Sequence, residues 1–338
     1  MYDIDLNRYT EVVDSAIALR PQIEKAVDEI CAQGYSNLFF IGCGGTYAHS
    51  LPMMYWLEST TNKVEAHAVI AAEFMVMGHK AFSKDSVCIF STRSGNTKEI
   101  VAAAKFCKEA GARTMVYVSN DNTPVCEYAD YKFYSPAEDP DLCEAIYSYT
   151  ICLLGRFMKN AGAFDKYDEF MAQYAGLTKY LIAGKEKFEP VCQELAKKFK
   201  NVDYHMVIGG GMLWGEAYDY AMCILEEMQW IRTKSIHVCE YFHGTLELVE
   251  KDTSLILFYG EDETRPLMDR VLKFSKTVSD EITIFDTKEV ELPFTDPEFR
   301  KIVSPIVIYA ITERLSAHLA KERNHPLTTR RYYRQMEY

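Results

Sequence analysis

Short apolar runs separated by longer amphipathic segments recur along the whole chain. Each run is rich in β-branched and aromatic residues and is bounded by glycine or small polar residues, which is typical of buried β-strands. The predicted strands span residues 37–42, 64–70, 86–91, 113–119, 131–136, 203–211, 235–240, 254–260 and 281–286.

The segments between these runs place apolar residues three or four positions apart, which predicts helices. The predicted helices span residues 9–34, 46–60, 97–110, 141–181, 212–231, 265–279 and 297–323, with a break near Gly162. Regular alternation of strand and helix predicts parallel sheets covered by helices, so the fold class is α/β.

The two halves of the chain contain the same series of elements in the same order. The stretch "NLFFIGCGG" aligns with "HMVIGGG", "HAVIAAEF" with "HVCEYF", and "SVCIFSTRSGNT" with "SLILFYGEDET". An ordered repeat of this kind is hard to obtain by chance. We therefore predict two copies of one α/β sandwich.

Charge and hydropathy narrow the class of protein. The 338 residues carry a formal net charge of −12, and the one basic cluster is the ending "TTRRYYRQMEY", so we expect no nucleic-acid partner. The longest apolar run, "IVSPIVIYAI", is about half the roughly 20 residues that a membrane span needs. The start "MYDIDLNRYTEVV" lacks the basic and apolar regions of a secretory signal. We expect a cytoplasmic protein that contacts no membrane.

The cysteines point to a reducing environment. Ten are present without a C-x-x-C pair, and several lie inside apolar runs. This usage favours small buried thiols over disulfides or zinc ligation. We expect no metal site and no cofactor.

The stretch "STRSGNTKEI" concentrates hydrogen-bond donors between a predicted strand and a predicted helix. Such donors at a helix N-terminus favour phosphate binding, whereas the alternative is an ordinary turn capped by Asn96 and Thr97. The counterpart in the second half reads "YGEDET", whose three successive acids would repel a phosphate. The fold therefore does not require the hydroxyl groups, and only the first copy is predicted to hold a phosphate.

The stretch "GCGGTYA" after the first strand superficially resembles the dinucleotide-binding fingerprint. Tyr47 stands where the third glycine belongs, no acid is placed to bind a ribose, and no lysine follows in the P-loop position. What remains is a tight turn through Gly44 and Gly45, in which backbone N–H groups and the Thr46 hydroxyl can approach a ligand at a helix N-terminus. We expect this turn at the carboxyl edge of a parallel sheet, the usual ligand site of open α/β folds.

A carboxylate falls within an apolar helical stripe of the second half. Glu227 shares the stripe with Leu213, Ala217, Tyr220, Ile224 and Ile231, whereas Glu226 belongs to a solvated face. Burial of a carboxylate costs desolvation and raises its pKa, which suits an acid/base group. The alternative is a structural pair with an arginine such as Arg232, and periodicity does not decide between these interpretations.

The loop "CEYFHGTLEL" follows a predicted strand and contains Glu240 and His243. Of the eight histidines, His243 is the one followed by glycine in a loop context, where polar residues tend to be functional.

Five motifs together resemble the sugar isomerase (SIS) domain family, and above all its fructosamine-6-phosphate deglycases: "CGGTYA", "SGNT", "EEMQWI", "EYFHG" and the ending "HPLTTRRYYRQMEY". The chain is also similar to the isomerase half of glucosamine-6-phosphate synthase. In both relatives a helical glutamate lies sixteen residues before a loop histidine, which is the separation of Glu227 and His243. The resemblance implies two tandem SIS domains, residues 1–180 and 181–338, each a flavodoxin-like, doubly wound α/β/α sandwich.

The resemblance also implies roles for the first copy. Its loop would grip the sugar phosphate through Thr92, Ser94 and Thr97, with Arg93 alongside and the Thr46 hydroxyl at the same site. A small-molecule sugar phosphate is thus the implied partner.

For the second copy, the resemblance makes Glu227 the group that moves a proton between adjacent sugar carbons. His243 would assist ring opening, commonly from the partner subunit of a homodimer with shared active sites, and Glu240 belongs to the same loop. Two departures are visible: the tail contains no lysine where the synthase has one, and "HGT" replaces the more usual "HGP".

The implied activity is hydrolytic deglycation of a fructosamine 6-phosphate to glucose 6-phosphate and a free amine. We hypothesise that the tail residues Arg330, Arg331 and Arg334 bind a carboxylate of the substrate, with a solvated basic tail as the alternative. The competing functions are an isomerase or deaminase of amino-sugar phosphates and a non-catalytic sugar-phosphate sensor.

Overall fold

The computed structural model describes residues 1–137 and 144–337, so residues 141–143 of one predicted helix lie outside the described residues. The chain divides into two compact units. The first unit is Leu6–Thr178, and the second unit is Lys179–Tyr338 together with Met1–Asp5. The initial residues join the second unit because, among other contacts, the Tyr2 N–H donates to Glu189 Oε1 at 2.5 Å.

Strands and helices alternate in each unit, and their bounds are as follows. The first unit contains α1 Leu6–Ile17, α2 Arg20–Gln33, β1 Leu38–Gly42, α3 Gly45–Ala48, α4 Ser50–Thr60, β2 Ala66–Ile70, α5 Ala71–Met77, β3 Val87–Thr92, α6 Lys98–Glu109, β4 Arg113–Val118, β5 Tyr131–Tyr134, α7 Glu144–Asn160 and α8 Tyr167–Tyr174. The second contains most of α9 Leu177–Phe199, then β6 Tyr204–Gly209, α10 Trp214–Asp219, α11 Glu227–Gln229, β7 Arg232–His237, β8 Ser254–Tyr259, α12 Arg265–Ser275, β9 Ile282–Asp286 and α13 Pro297–Glu322.

The first unit is built on a five-stranded parallel sheet of order β2-β1-β3-β4-β5. Alternate strand residues such as Phe39 and Phe90 form one buried face with α5 and α6. On the opposite face, Tyr149 of α7 stacks on Tyr117 at a centroid distance of 5.2 Å. This order is that of a flavodoxin-like sandwich, which confirms the predicted fold.

The second unit repeats the arrangement with four parallel strands in the order β7-β6-β8-β9. One face packs Met206 and Leu257 against Met268 of α12. On the other face, Phe285 stacks on Phe188 of α9 at 6.0 Å. The predicted repeat is thus confirmed in three dimensions.

A close backbone approach fixes how each sheet passes into its first following helix. A Cβ atom on Gly42, the last residue of β1, would lie 2.5 Å from the Tyr47 backbone nitrogen. A Cβ atom on Gly209, the last residue of β6, would lie 2.5 Å from the Leu213 carbonyl oxygen. Only glycine leaves room at these two equivalent positions, which explains the aligned glycines of the repeat.

Several predicted boundaries are wrong. The predicted helix 9–34 breaks between α1 and α2, where Pro21 starts the second helix. The predicted helix 141–181 is instead α7, α8 and the start of α9, which continues to Phe199. Helix α5 was not predicted, because its short apolar segment continues that of β2.

The predicted strand 235–240 is shifted. Strand β7 starts at Arg232 and ends at His237, because an edge strand alternates exposed and buried residues instead of forming an apolar run. Val238–Glu240 form a 3₁₀ turn, capped by the Cys239 N–H donating to His237 Nδ1 at 3.2 Å. Over the described ranges, no helix is both long and apolar enough to cross a membrane.

We predict that Gly42→Ala lowers the free energy of unfolding by about 1–3 kcal/mol, because the new methyl group overlaps backbone atoms that cannot rotate away. The measurement is urea unfolding followed by circular dichroism. Gly176→Ala is the matched control in the same unit, since its Cβ would meet nothing closer than 3.9 Å. Equal stability of the two variants would contradict this account.

Candidate active site

The glycine turn and the hydroxyl-rich loop both follow the carboxyl ends of adjacent strands. Strand β1 pairs with β3 through Phe40 and Ile89, and from this pair the strand order runs to β2 on one side and to β4 and β5 on the other. In doubly wound sheets this switch point is where ligands bind. The two segments that the sequence singled out therefore flank the expected ligand crevice of the first unit.

The side chain of Thr46 stabilises the glycine turn from within. Gly44 has φ 55°, in the left-handed region that favours glycine, and α3 begins at Gly45. The Thr46 hydroxyl donates to the Cys43 carbonyl at 3.0 Å and accepts from the Cys43 N–H at 3.1 Å. Burial raises the pKa of the Cys43 thiol, and Glu99 adds to the rise, so the thiol stays protonated.

The polar side chains of the loop after β3 are of two kinds: some stabilise the loop, and others are not committed to holding the fold. Thr92 is buried, and its hydroxyl accepts the Gly95 N–H at 3.1 Å, so it fixes the loop. Thr97 is the N-cap residue of α6 yet its side chain makes no capping hydrogen bond. Ser94 is half-buried, and the exposed Arg93 side chain has no ion pair among the described residues. Thr97 and Arg93 are thus not committed to holding the fold.

A small cavity lies beside these segments, between the sheet and the helices that cover it. Its wall combines apolar residues with hydroxyl groups of the glycine turn, of strand β3 and of helices α4 and α7. The lining residues are Phe40, Ile41, Thr46, His49, Ser50, Ile89, Ser91, Ile146 and Thr150.

The equivalent loop of the second unit contains its own anion. Thr264, the N-cap residue of α12, lies five residues after the end of β8, as Thr97 does after β3. Buried Asp262 directs Oδ1 to the Thr264 N–H at 2.8 Å and hydroxyl at 2.6 Å. Its Oδ2 accepts the Met212 N–H of the glycine turn at 3.0 Å. A carboxylate thus bridges the turn and the helix N-terminus.

Glycine replaces this carboxylate in the first unit. Gly95 precedes its cap residue by two positions, as Asp262 does, and it has φ 61°. The other two acids of the second loop are also engaged, since Glu261 pairs with Arg300 at 2.7 Å and Glu263 with Lys301 at 3.0 Å. The predicted electrostatic difference between the loops therefore has a structural basis: one loop carries an internal anion and the other carries none at that position.

The helix that bears Glu227 changes its winding just before that residue. Helix α10 passes at Tyr220–Glu226 into a π-helical segment, which is followed by α11. Because a π-helix has more residues per turn than an α-helix, the apolar stripe drifts along it. The stripe residues of the prediction, Ala217, Tyr220 and Ile224, are buried, but Glu227 is only partly so. π-Helical turns occur frequently at functional sites.

Glu227 is paired with an arginine, though not with the one considered from the sequence. Arg330 Nε lies 3.0 Å from Glu227 Oε1, and 34% of the Glu227 side chain is exposed. Arg232 is exposed and is not its partner. Glu226 is exposed as predicted and accepts a hydrogen bond from Thr233 Oγ1 at 2.6 Å. A nearby guanidinium favours the ionised carboxylate, which opposes the effect of burial expected from the stripe.

His243 and Glu240 share one exposed turn. The His243 N–H donates to the Glu240 carbonyl at 3.0 Å, and Gly244 follows with φ 128°. Both side chains are exposed, and that of His243 forms no hydrogen bond or ion pair with the described residues. Neighbouring His237 is half-buried; desolvation lowers its pKa, and Glu240 partly opposes this shift. An exposed, uncommitted imidazole is available to a ligand or to another subunit.

The C-terminal residues pack on the end of the Glu227 helix. Trp230 ends that helix in the left-handed conformation, with φ 55° and ψ 32°. The His325 ring meets the Trp230 indole edge-on at 4.5 Å, and the Arg331 guanidinium lies 4.1 Å from the indole centroid. Arg331 is thus held by an aromatic face.

Sequence reasoning missed Asp262, the π-helical segment, and Trp230 with His325. An Asp two residues before a helix-capping Thr is a recognisable signal for Asp262. The packing of Trp230 against His325 joins residues far apart in the chain and leaves no local pattern.

Comparisons with known proteins agree with this architecture. Residues 34–154 match the family model of the SIS domain. Fructosamine deglycase FrlB of Bacillus subtilis (strain 168) is 29% identical, with 94% of this chain and 97% of that protein covered. Fructoselysine 6-phosphate deglycase of Escherichia coli (strain K12) is 22% identical, covering 93% and 90%.

A solved structure extends the likeness to three dimensions. A Bacillus subtilis protein assigned as a phosphosugar isomerase superposes with a TM-score of 0.89 at 27% identity, covering 96% of this chain and 99% of its own. The two parallel α/β sandwiches of this chain have the tandem SIS architecture. Residues 34–154 therefore form an SIS domain, as the motifs predicted, and the likeness to the two deglycases and to the solved structure extends over more than nine-tenths of the chain.

The two cap threonines allow a matched test of the loop assignment. Thr97→Val is expected to leave stability unchanged, because no capping bond is lost, but to weaken binding of inorganic phosphate about tenfold or more. Thr264→Val should lower the free energy of unfolding by about 1–3 kcal/mol, because Asp262 loses a partner, with phosphate affinity unchanged. Isothermal titration and urea unfolding measure the two effects. Unchanged phosphate affinity in Thr97→Val would refute the assignment.

Proposed function

We propose that this protein is a deglycase that converts a fructosamine 6-phosphate into glucose 6-phosphate and a free amine. The observation that carries the proposal is the contrast between the cap loops: Asp262 fills one with a carboxylate, whereas the loop from Thr92 to Thr97 has glycine at that place. An acceptor-poor helix N-terminus whose cap residue Thr97 makes no side-chain capping hydrogen bond suits a phosphate. Similarity to two deglycases over more than nine-tenths of the chain supports the substrate class.

The phosphate acts as a handle in this proposal. It is bound by the loop residues Ser94 and Thr97, with Arg93 at the rim and the glycine turn through Thr46 on the other side. Binding energy from a group remote from the reacting carbons can be used to orient them.

Chemistry begins with ring opening, for which we assign His243 as the proton-transfer group. The open substrate has an amine on C1 and a ketone at C2. Glu227 removes a proton from C1, the electron pair forms a C1–C2 double bond, and the C2 oxygen takes up a proton, which gives an enaminol. Glu227 then returns its proton to C2 while the amine N–H proton is released, which forms the C1–N double bond. The product of this step is a Schiff base between C1 and the amine nitrogen.

Water completes the reaction. It adds to C1 of the Schiff base, the C1–N bond breaks with the electron pair going to nitrogen, and the nitrogen takes up a proton. The products are the aldehyde of glucose 6-phosphate and the free amine, so the atoms balance with one molecule of water. A carboxylate that moves one proton between adjacent carbons is sufficient for the isomerisation.

The reaction is tested with a panel of fructosamine 6-phosphates that carry lysine (α- or ε-linked), aspartate or asparagine. We expect glucose 6-phosphate release from at least one, measured with a coupled dehydrogenase, and a loss of about 10²- to 10⁴-fold in kcat for Glu227→Gln. Glu226→Gln is the matched control, because its exposed neighbour carboxylate should leave kcat unchanged.

The competing functions give different results in the same assays. Ammonia release from glucosamine 6-phosphate without turnover of the panel would favour a deaminase. Saturable sugar-phosphate binding without any turnover would favour a sensor. Full turnover by Glu227→Gln would refute the mechanism while leaving the substrate class intact.

We further propose a homodimer in which His243 acts at the active site of the partner subunit. Support comes from the exposed imidazole, which lacks partners in its own chain over residues 1–137 and 144–337. In such a symmetric dimer each site combines Glu227 of one subunit with His243 of the other.

Mixing two inactive variants tests this arrangement. Glu227→Gln and His243→Ala chains are unfolded together and refolded at equal amounts, so that about half of the dimers are mixed. If the sites are shared, each mixed dimer regains one intact site, and about one quarter of the wild-type activity returns. If both residues act within one chain, no mixed dimer has an intact site and activity stays at the level of the separate variants.

A further inference from the structure

The C-terminal tail, residues 323–337, is anchored to the end of the Glu227 helix by contacts at Gln229 and at the helix-terminating Trp230. Before it, the Gln229 amide donates to the His325 carbonyl at 2.8 Å, and Arg323 Nη2 donates to the Gln229 carbonyl at 3.3 Å. At Trp230 itself, the indole contacts His325 and Arg331. The tail is therefore fixed to this helix by at least four side-chain contacts that do not involve Glu227.

Arg330 lies in the tail between these anchors, and its guanidinium is oriented from two directions. Its Nη1 donates to the Leu327 carbonyl at 2.7 Å and to the Thr329 carbonyl at 2.9 Å. Its Nε lies 3.0 Å from Glu227 Oε1, and only 16% of its side chain is exposed. The tail backbone thus holds the guanidinium, and the guanidinium faces one carboxylate oxygen.

Glu227 needs such support because of where it lies. It follows a π-helical segment and precedes a residue in the left-handed conformation, so it belongs to a single regular turn between two irregular ones. On such a short turn, the position of a side chain depends more on its contacts with neighbouring side chains than on the geometry of a regular helix. A carboxylate that transfers protons has to be held within a fraction of an ångström of its working position.

We propose that Arg330 is a positioning residue for Glu227: the tail delivers a guanidinium that holds this carboxylate in the orientation needed to take the C1 proton. The inference rests on the proposed function and adds to it a specific residue for which the sequence had suggested another role, that of binding a carboxylate of the substrate. The ion pair with Glu227 gives this guanidinium a carboxylate partner within the chain.

Kinetics separate the two roles. For the best substrate of the panel, Arg330→Gln is expected to lower kcat about 30- to 100-fold with KM changed less than about threefold, because orientation and charge at the base are lost while the phosphate grip is kept. Arg330→Lys should restore part of kcat, since it retains the charge. Arg232→Gln, an exposed arginine near the same helix, is the matched control and should match the wild type.

The opposite split would overturn the proposal. If Arg330→Gln raises KM for amino-acid-derived substrates and leaves kcat intact, while a substrate with a simple alkylamine is unaffected, Arg330 binds the substrate and does not position Glu227. A failure of the proposed function would be visible separately, as an absence of turnover in the wild type.

A second measurement tests whether the Glu227–Arg330 ion pair stabilises the tail, and it does not require enzymatic turnover. Hydrogen exchange of the tail amides is compared in the wild type, Glu227→Gln, Arg330→Gln and Arg232→Gln. Loss of either partner should speed exchange of residues 327–331 about three- to tenfold, because local opening no longer breaks an ion pair, whereas Arg232→Gln should not. Equal exchange in all four proteins would show that the tail does not depend on this pair and would refute the inference.

Discussion

The first backbone N–H groups of a helix have no acceptor within that helix, and both units are organised around this requirement. Each has a helix that starts after a central parallel strand and a glycine turn that follows the neighbouring strand. In the second unit Asp262 accepts from the turn and from the N-cap residue at once. In the first unit the equivalent position is Gly95, which has no side chain to offer. A side chain of the second unit thus meets this demand, whereas the first unit has no side chain at the equivalent position.

The sequence was sufficient for the parts of the structure that local pattern determines. Buried parallel strands read as apolar runs, and the glycines that end β1 and β6 mark the close helix starts, so the repeat and the sheet were predictable. The start of β7 was missed because an edge strand exposes alternate residues, beginning with Arg232. The π-helical segment was missed because the apolar stripe was identified by assuming 3.6 residues per turn. That assumption already excludes a segment with more residues per turn. The identity of the Glu227 partner was missed because Arg330 is distant in the chain.

The charge around Glu227 shows why burial alone is a poor guide to an acid/base group. The apolar stripe implied a desolvated carboxylate that resists ionisation, whereas the structure leaves the side chain one-third exposed and places a guanidinium against it. The two environments favour opposite protonation states. For a base that must be ionised before it takes a proton, the second environment is the more suitable. The tail arginines are also not equivalent, since Arg330 faces a carboxylate and Arg331 an indole.

Duplication explains how one sandwich can serve two purposes without a change of fold. The strand order and the glycine at the end of the first strand of each copy are shared, because the packing of sheet against helix requires them. The loops after the third strands are free to differ, because the fold requires an acceptor for the helix N-terminus and does not specify its source. The second unit has a carboxylate of its own chain, Asp262, as that acceptor. Its helix after the glycine turn is then available for another use, and there the regular winding gives way to the π-helical segment that precedes Glu227.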